Sequence, residues 1–142
     1  MALLDVCDQD PPVISPESTV AEAIRQMLEA RVGAITVVDS ERVVAGIFTE
    51  RDVMRRVTYK GRDPKTTPVA DVMTRPVELA TEATTDAEAL AVMLTRHYRH
   101  LPVVDGKGRL LGMASIRHVL CARVDELLEE LQQQRARAAR PD

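Results

Sequence analysis

Apolar residues along this chain recur with two alternating periods. Val20, Ala23, Ile24, Met27 and Leu28 fall at i, i+3, i+4, i+7 and i+8, which predicts a helix over residues 20–30 with one apolar face. The preceding Pro16-Glu17-Ser18-Thr19 has the grammar of a helix start, a turn, a hydroxyl and an acid, and Gly33 is expected to end the helix. Ala34 to Val38 is then an apolar run of strand length, stopped by the polar turn Asp39-Ser40-Glu41-Arg42, and Arg42 to Phe48 returns as its hairpin partner. A shorter helix follows from Glu50 to Val57, with Val53, Met54 and Val57 expected inward. With Pro12-Val13-Ile14-Ser15 as a short opening strand, the order is β-α-β-β-α.

That order recurs 66 positions later (112 − 46), as Gly46 and Gly112 show. Residues 59–69 are polar and contain one Gly and two Pro, and they read as a linker. Beyond it come a strand at Val77 to Ala80, a cap at Thr85 or Asp86, a helix from Ala87 to Arg96, and a strand at Leu101 to Val104. A turn at Asp105 to Gly108, a return strand from Arg109 to Ala114 and a helix from Ile116 complete the copy. Glu22/Glu88, Met27/Met93, Val38/Val104, Asp39/Asp105 and Arg51/Arg117 are identical at the same offset, with no gap between Ala21 and Arg117. The fold class expected is α/β (α+β): two repeats over 1–58 and 70–124, related by a pseudo-twofold, with an extended C-terminal helix and tail over 125–142. On that helix Leu120, Val124, Leu127 and Leu131 step by four, three and four among Asp125, Glu126, Glu129 and Glu130, a seam suited to coiled-coil docking or to packing back on the body. Arg135 to Asp142 reads as a fraying basic tail.

Composition narrows the function. A chain of 142 residues builds one compact unit with internal symmetry more readily than two independent domains. Its net charge of -3 gives no general pull toward nucleic acid or anionic membrane, and Phe48, Tyr59 and Tyr98, its only aromatics, are too few for a base-stacking platform. Cys7 and Cys121 read as reduced, mostly buried thiols. With no leader ahead of Asp5 and no apolar run of membrane-spanning length, a cytoplasmic location is expected.

Candidate chemistry gathers where each return strand meets its helix, at Gly46-Ile47-Phe48-Thr49-Glu50-Arg51-Asp52 and Gly112-Met113-Ala114-Ser115-Ile116-Arg117-His118. Thr49 and Ser115 occupy N-cap positions, so a hydroxyl and free backbone N–H groups form a place for an anion, with Arg51 and Arg117 adding charge. Asp52, on the first helical turn, has two oxygens for a ribose diol; with Glu50 it also fits as a first-turn acid favoured by the helix dipole. His118 stands at the equivalent place in the second copy and cannot clasp two hydroxyls as a carboxylate does. His118 and Cys121 share a helical face, but no further Cys or His is near enough in sequence to complete a metal site, and no nucleophile–base arrangement suggests an enzyme.

Tandem β-α-β-β-α units with paired Asp-Val-Cys and Asp-Val-Met openings, Val-Val-Asp turns and a Gly-apolar-x-Thr/Ser-x-Arg motif resemble the cystathionine-β-synthase (CBS) domain family from about Asp5 to Val124. The resemblance implies a Bateman module, two of which commonly pair into a disc-shaped homodimer. It also implies a regulatory adenosine-containing ligand (AMP, ADP, ATP, S-adenosylmethionine or NAD) in clefts between the copies, with no other cofactor required. Within the resemblance, Thr49, Arg51 and Asp52 belong to the first cleft, Arg99 and His100 reach across to the ligand's phosphates, and Val13 and Ile14 wall the base, unless they are plain core strand. Ser115, Arg117 and His118 belong to the second cleft. The function expected is that of a stand-alone, non-enzymatic energy or metabolite sensor. The alternative is a ligand-free interaction module that docks a protein partner through its C-terminal helix.

Overall fold

The computed structural model describes residues 2–140. Each copy forms a three-stranded sheet: β1 (Val13–Ile14) runs parallel to β2 (Ala34–Val38), which is antiparallel to β3 (Val44–Thr49). The second sheet repeats this with β4 (Ala80–Thr81), β5 (His100–Val104) and β6 (Leu110–Ser115), down to the same register shift before the turn. Helices α1 (Val20–Ala30), α2 (Glu50–Asp52), α3 (Asp86–Arg96) and α4 (Ile116–Ala138) complete the copies.

The predicted strands at Arg42–Phe48 and Val77–Ala80 both lie further along the chain. Only Ala80 and Thr81 pair with β5, while Val77 and Glu78 turn toward a cleft between the copies. The helix at Glu50 keeps only three α-helical residues before Val53–Thr58 widens into a π-turn, closed by the Tyr59 N–H bond to Met54 O. Val57 is buried there, but Met54 is 62% exposed. In α1 the core face is Val20, Ala23 and Met27, and Leu28 points outward at 73% exposure. Helix α1 ends at Arg31 rather than Gly33: Arg31 takes the left-handed conformation (φ 56°), as His97 does after α3 (φ 61°). Gly33 is instead small because a Cβ there would lie 3.3 Å from the Glu50 carboxyl.

The opening segments are exchanged between the copies. Leu3, in the 3-10 turn Leu3–Val6, packs with Met93, Leu101, Val103 and Val119 in the second core. Val69, Val72 and Met73 pack with Val20, Ile35 and Phe48 in the first. Glycine at 46 and 112 is what admits these segments. A Cβ on Gly112 would lie 2.8 Å from both Asp8 O and Cys7 Sγ, and one on Gly46 would lie 3.1 Å from Thr74 O and 2.5 Å from Met73 Sδ. Backbone bonds then stitch Asp8 to Met113 and Thr74 to Ile47. The sequence repeats and the packed cores therefore do not coincide.

The linker is also structural, since Pro64 O and Thr67 O accept the Ala21 and Val20 N–H groups and so satisfy the start of α1. Cys7 is half-buried, whereas Cys121 is exposed, contrary to the expectation of two mostly buried thiols. The C-terminal residues expected to fray are helical through Ala138, while Pro141 and Asp142 lie outside the described residues. No helix among the described residues is long and apolar enough to cross a membrane.

Candidate functional site

Thr49 ends β3 and caps α2: its hydroxyl accepts the Asp52 N–H (3.3 Å), while Asp52 Oδ2 accepts the Thr49 N–H (3.0 Å). Because the entry segment of the second copy runs alongside, Thr74 donates its hydroxyl to Asp52 Oδ1 at 2.9 Å, and Arg56 Nε lies 3.5 Å from the same oxygen. Arg56 also donates to Met73 O (2.8 Å), so Asp52, only 5% exposed, knots α2 to that entry segment. The expected row of free N–H groups is mostly occupied. Gly33 O accepts the Glu50 N–H (3.0 Å), and Arg99 O accepts the Ile116 N–H (2.8 Å) in the second copy. Anion contacts in the first copy therefore fall chiefly to side chains.

Thr49, Arg51 and Asp52 line a cleft of about 580 Å³ together with Arg99 and His100, which arrive from the start of β5. Sequence reasoning brought those five together. Val13 and Ile14 do not line it: Ile14 is paired with Val37 and packed in the first core. Ile47, Met54, Pro76 and Val77 are the cleft's apolar lining residues. Thr74, Glu78, Tyr98 and Arg55, also on the lining, were missed as site residues. Thr74 had one available signal, its place at the end of the repeated Asp-Val-Met-Thr opening.

Four arginines (Arg51, Arg55, Arg56, Arg99) and three carboxylates (Glu50, Asp52, Glu78) line the cleft. Arg51, Arg55 and Arg99 have no carboxylate within 4.0 Å among the described residues, whereas Arg56 is held by Asp52 and Glu78 is paired with Arg96 at 3.2 Å. Burial pushes the His100 imidazole below its ordinary range; Glu50 opposes that shift, and Arg99 and His118 reinforce it. Ser115, Arg117 and His118 do not line this cleft. Ser115 caps α4 by accepting the His118 N–H at 3.2 Å, and the places equivalent to Thr74 and Pro76 are taken there by Asp8 and Asp10.

Two β-α-β-β-α copies that exchange their opening segments and meet along this cleft define a tandem-repeat module. The CBS domain model matches residues 3–59 and 69–133, and the chain belongs to that family. CBS domain-containing protein CBSX3, mitochondrial, from Arabidopsis thaliana is 40% identical over 120 residues, which is 82% of this chain and 58% of that protein. An uncharacterized 17.7 kDa protein of Acidianus ambivalens is 39% identical over 113 residues, 80% of this chain and 67% of its own length. The chain thus spans about three-fifths to two-thirds of these two relatives. A CBS-domain containing protein from Agrobacterium tumefaciens superposes with a TM-score of 0.77 at 32% identity, over 87% of this chain and 99% of that one. CBSX2 in complex with AMP has the same fold, with a TM-score of 0.75 at 23% identity over 87% of this chain and 96% of that one.

Proposed function

We propose that the chain is a regulatory module that binds one adenosine-containing nucleotide in the cleft between its copies. The observation that carries this reading is the convergence of Thr49 and Asp52 with Arg51, Arg55 and Arg99, which have no ion pair among the described residues, around a space of about 580 Å³, within the ~300–1,000 Å³ usual for small-ligand sites. Asp52 is the carboxylate at the ribose position; among the described residues its Oδ1 accepts the Thr74 hydroxyl and a long contact from Arg56, its Oδ2 is held by Thr49, and a ribose diol would have to exchange with these bonds. Ile47, Pro76 and Val77 offer the base an apolar wall, with Tyr98 alongside. Phosphates fall to Arg51, Arg99 and His100. That CBSX2 binds AMP supports the ligand class. The second copy carries His118 in place of the carboxylate and Asp8 and Asp10 at the positions equivalent to Thr74 and Pro76, which disfavours an anionic nucleotide there, so one ligand per chain is expected. Binding between two packed copies does regulatory work to the extent that one arrangement of them holds the ligand more tightly.

A thermal-shift panel with AMP, ADP, ATP, S-adenosylmethionine, NAD and an adenine-free control tests this, followed by calorimetric stoichiometry of any hit. The expected result is one site per chain, lost in Arg99→Ala. Ligand-free protein whose melting temperature responds to none of these compounds refutes the reading. A second reading, an interaction module acting through α4, is favoured by that helix's exposed apolar side.

A further inference from the structure

The first copy begins its middle strand with Ala34, 3% exposed and packed with Ile47 and Met113 between the sheets. The second begins the same strand with His100, which is half-buried and lines the cleft. The register of β5, with His100 opposite Ser115, fixes it there. An ionisable ring therefore stands at the seam between the copies on one side only. Its imidazole makes no hydrogen bond to another described residue, and burial, then Arg99 and His118, favour its uncharged form, with Glu50 opposing them from α2 of the first copy. We propose that nucleotide binding in this cleft draws a proton from solvent onto His100, so that the module's affinity follows pH as well as nucleotide concentration. The inference rests on the nucleotide reading above.

A phosphate drawn in by Arg51, Arg55 and Arg99 brings negative charge to the ring and favours its protonated form. The neutral ring donates one hydrogen bond, whereas the imidazolium donates from both nitrogens, and its bond to a phosphate oxygen is charge-assisted. Glu50 adds to the effect. Its carboxyl leans over Gly33, with no cation within 4.0 Å among the described residues, so it opposes an incoming phosphate and stabilises an imidazolium. The other two carboxylates of the cleft are engaged, Asp52 by Thr49, Thr74 and Arg56, and Glu78 by Arg96. His97 and His118 are exposed and have no comparable burial for a ligand to offset. Because the complex holds the proton more tightly than the free protein, affinity rises as pH falls through the bound-state pKa of His100. The gain levels off below the free-state value, which lies under the ordinary imidazole value of about 6.5. A single proton limits the slope to about tenfold in affinity per pH unit.

The test is calorimetric titration of the full chain with AMP and with ATP, in buffers of different ionisation enthalpy, from about pH 8 to about pH 6. The dependence of the heat on the buffer counts the protons taken up. Terminal phosphates themselves titrate near about pH 6, so each count is compared with that of His100→Gln, in which the ligand's own protons are the same. The parent takes up part of a proton that the variant does not, and its affinity relative to the variant's improves by about threefold to tenfold across the range. Imidazole proton NMR of the parent gives a second readout that does not depend on the variant's stability. With three histidines in the chain the signals are few, and the His100 titration moves to higher pH in saturating AMP. Equal proton counts in parent and variant, or a His100 titration that bound AMP leaves unmoved, overturn the inference and leave the nucleotide site standing. Binding of neither AMP nor ATP refutes the nucleotide reading, and this inference falls with it.

Discussion

Asp52→Ala is expected to destabilise the protein in the absence of any ligand. The carboxylate closes the capping box of α2 through the Thr49 N–H, which contributes about 1 kcal/mol. It also accepts the Thr74 hydroxyl at 2.9 Å in a site only 5% exposed, and a hydrogen bond to a buried charge contributes about 2 kcal/mol. The sum, about 3 kcal/mol, lowers the melting temperature by roughly 6–12 °C in a chain of this size. His118→Ala is the internal control. It changes the equivalent position, but the His118 side chain is exposed and the Ser115 cap uses only its backbone N–H, so the effect stays within about 0.5 kcal/mol. Calorimetric or circular-dichroism melting of nucleotide-free protein measures both. Equal melting temperatures for the two variants would mean that the Asp52 network does not hold the copies together, and the reasoning would fail. A loss of nucleotide affinity in Asp52→Ala must accordingly be judged against its apo stability, and Asp52→Asn, which keeps the shape, helps to separate the two effects.

Gly112→Ala should cost about 1–3 kcal/mol, read as a shift in urea midpoint, because its Cβ meets the Asp8 carbonyl at 2.8 Å and backbone cannot swing aside as a side chain does. Gly106→Ala, with nothing within 4 Å, should leave the midpoint nearly unchanged, and comparable losses in the two variants would contradict the packing role assigned to Gly112. His100 imposes a pH dependence whose sign is set by its lowered folded-state pKa: below the ordinary imidazole value of about 6.5 the unfolded chain binds the proton more readily. Its contribution to stability is thus fully present above about pH 6.5 and is lost as pH falls through the folded value. His100→Gln should flatten that part of the stability–pH curve, and an unchanged slope would show that burial at this position does not govern it.

Periodicity alone set the secondary structure well where burial and helical period agree. Residues 20–30 and 34–38 form the helix and strand that their patterns predict, and the offset of 66 places the second copy. The meeting of Thr49 and Asp52 with Arg99 and His100 was legible through the repeat and the family resemblance. Other features depended on distant contacts. Leu28 fits the apolar period of α1 but faces outward, and Val77, expected in a strand, lines the cleft with Glu78. The motif glycines marked the repeat in the sequence, and tertiary structure uses them to admit the backbone of the other copy at Asp8 and Thr74. Local pattern reports which side of an element is apolar, because that depends on neighbours three or four residues away. Which segment fills the space beside that element depends on residues far along the chain, so the exchange of opening segments, the partners of Asp52 and the outward stripe of α4 were decided only when the two copies packed together.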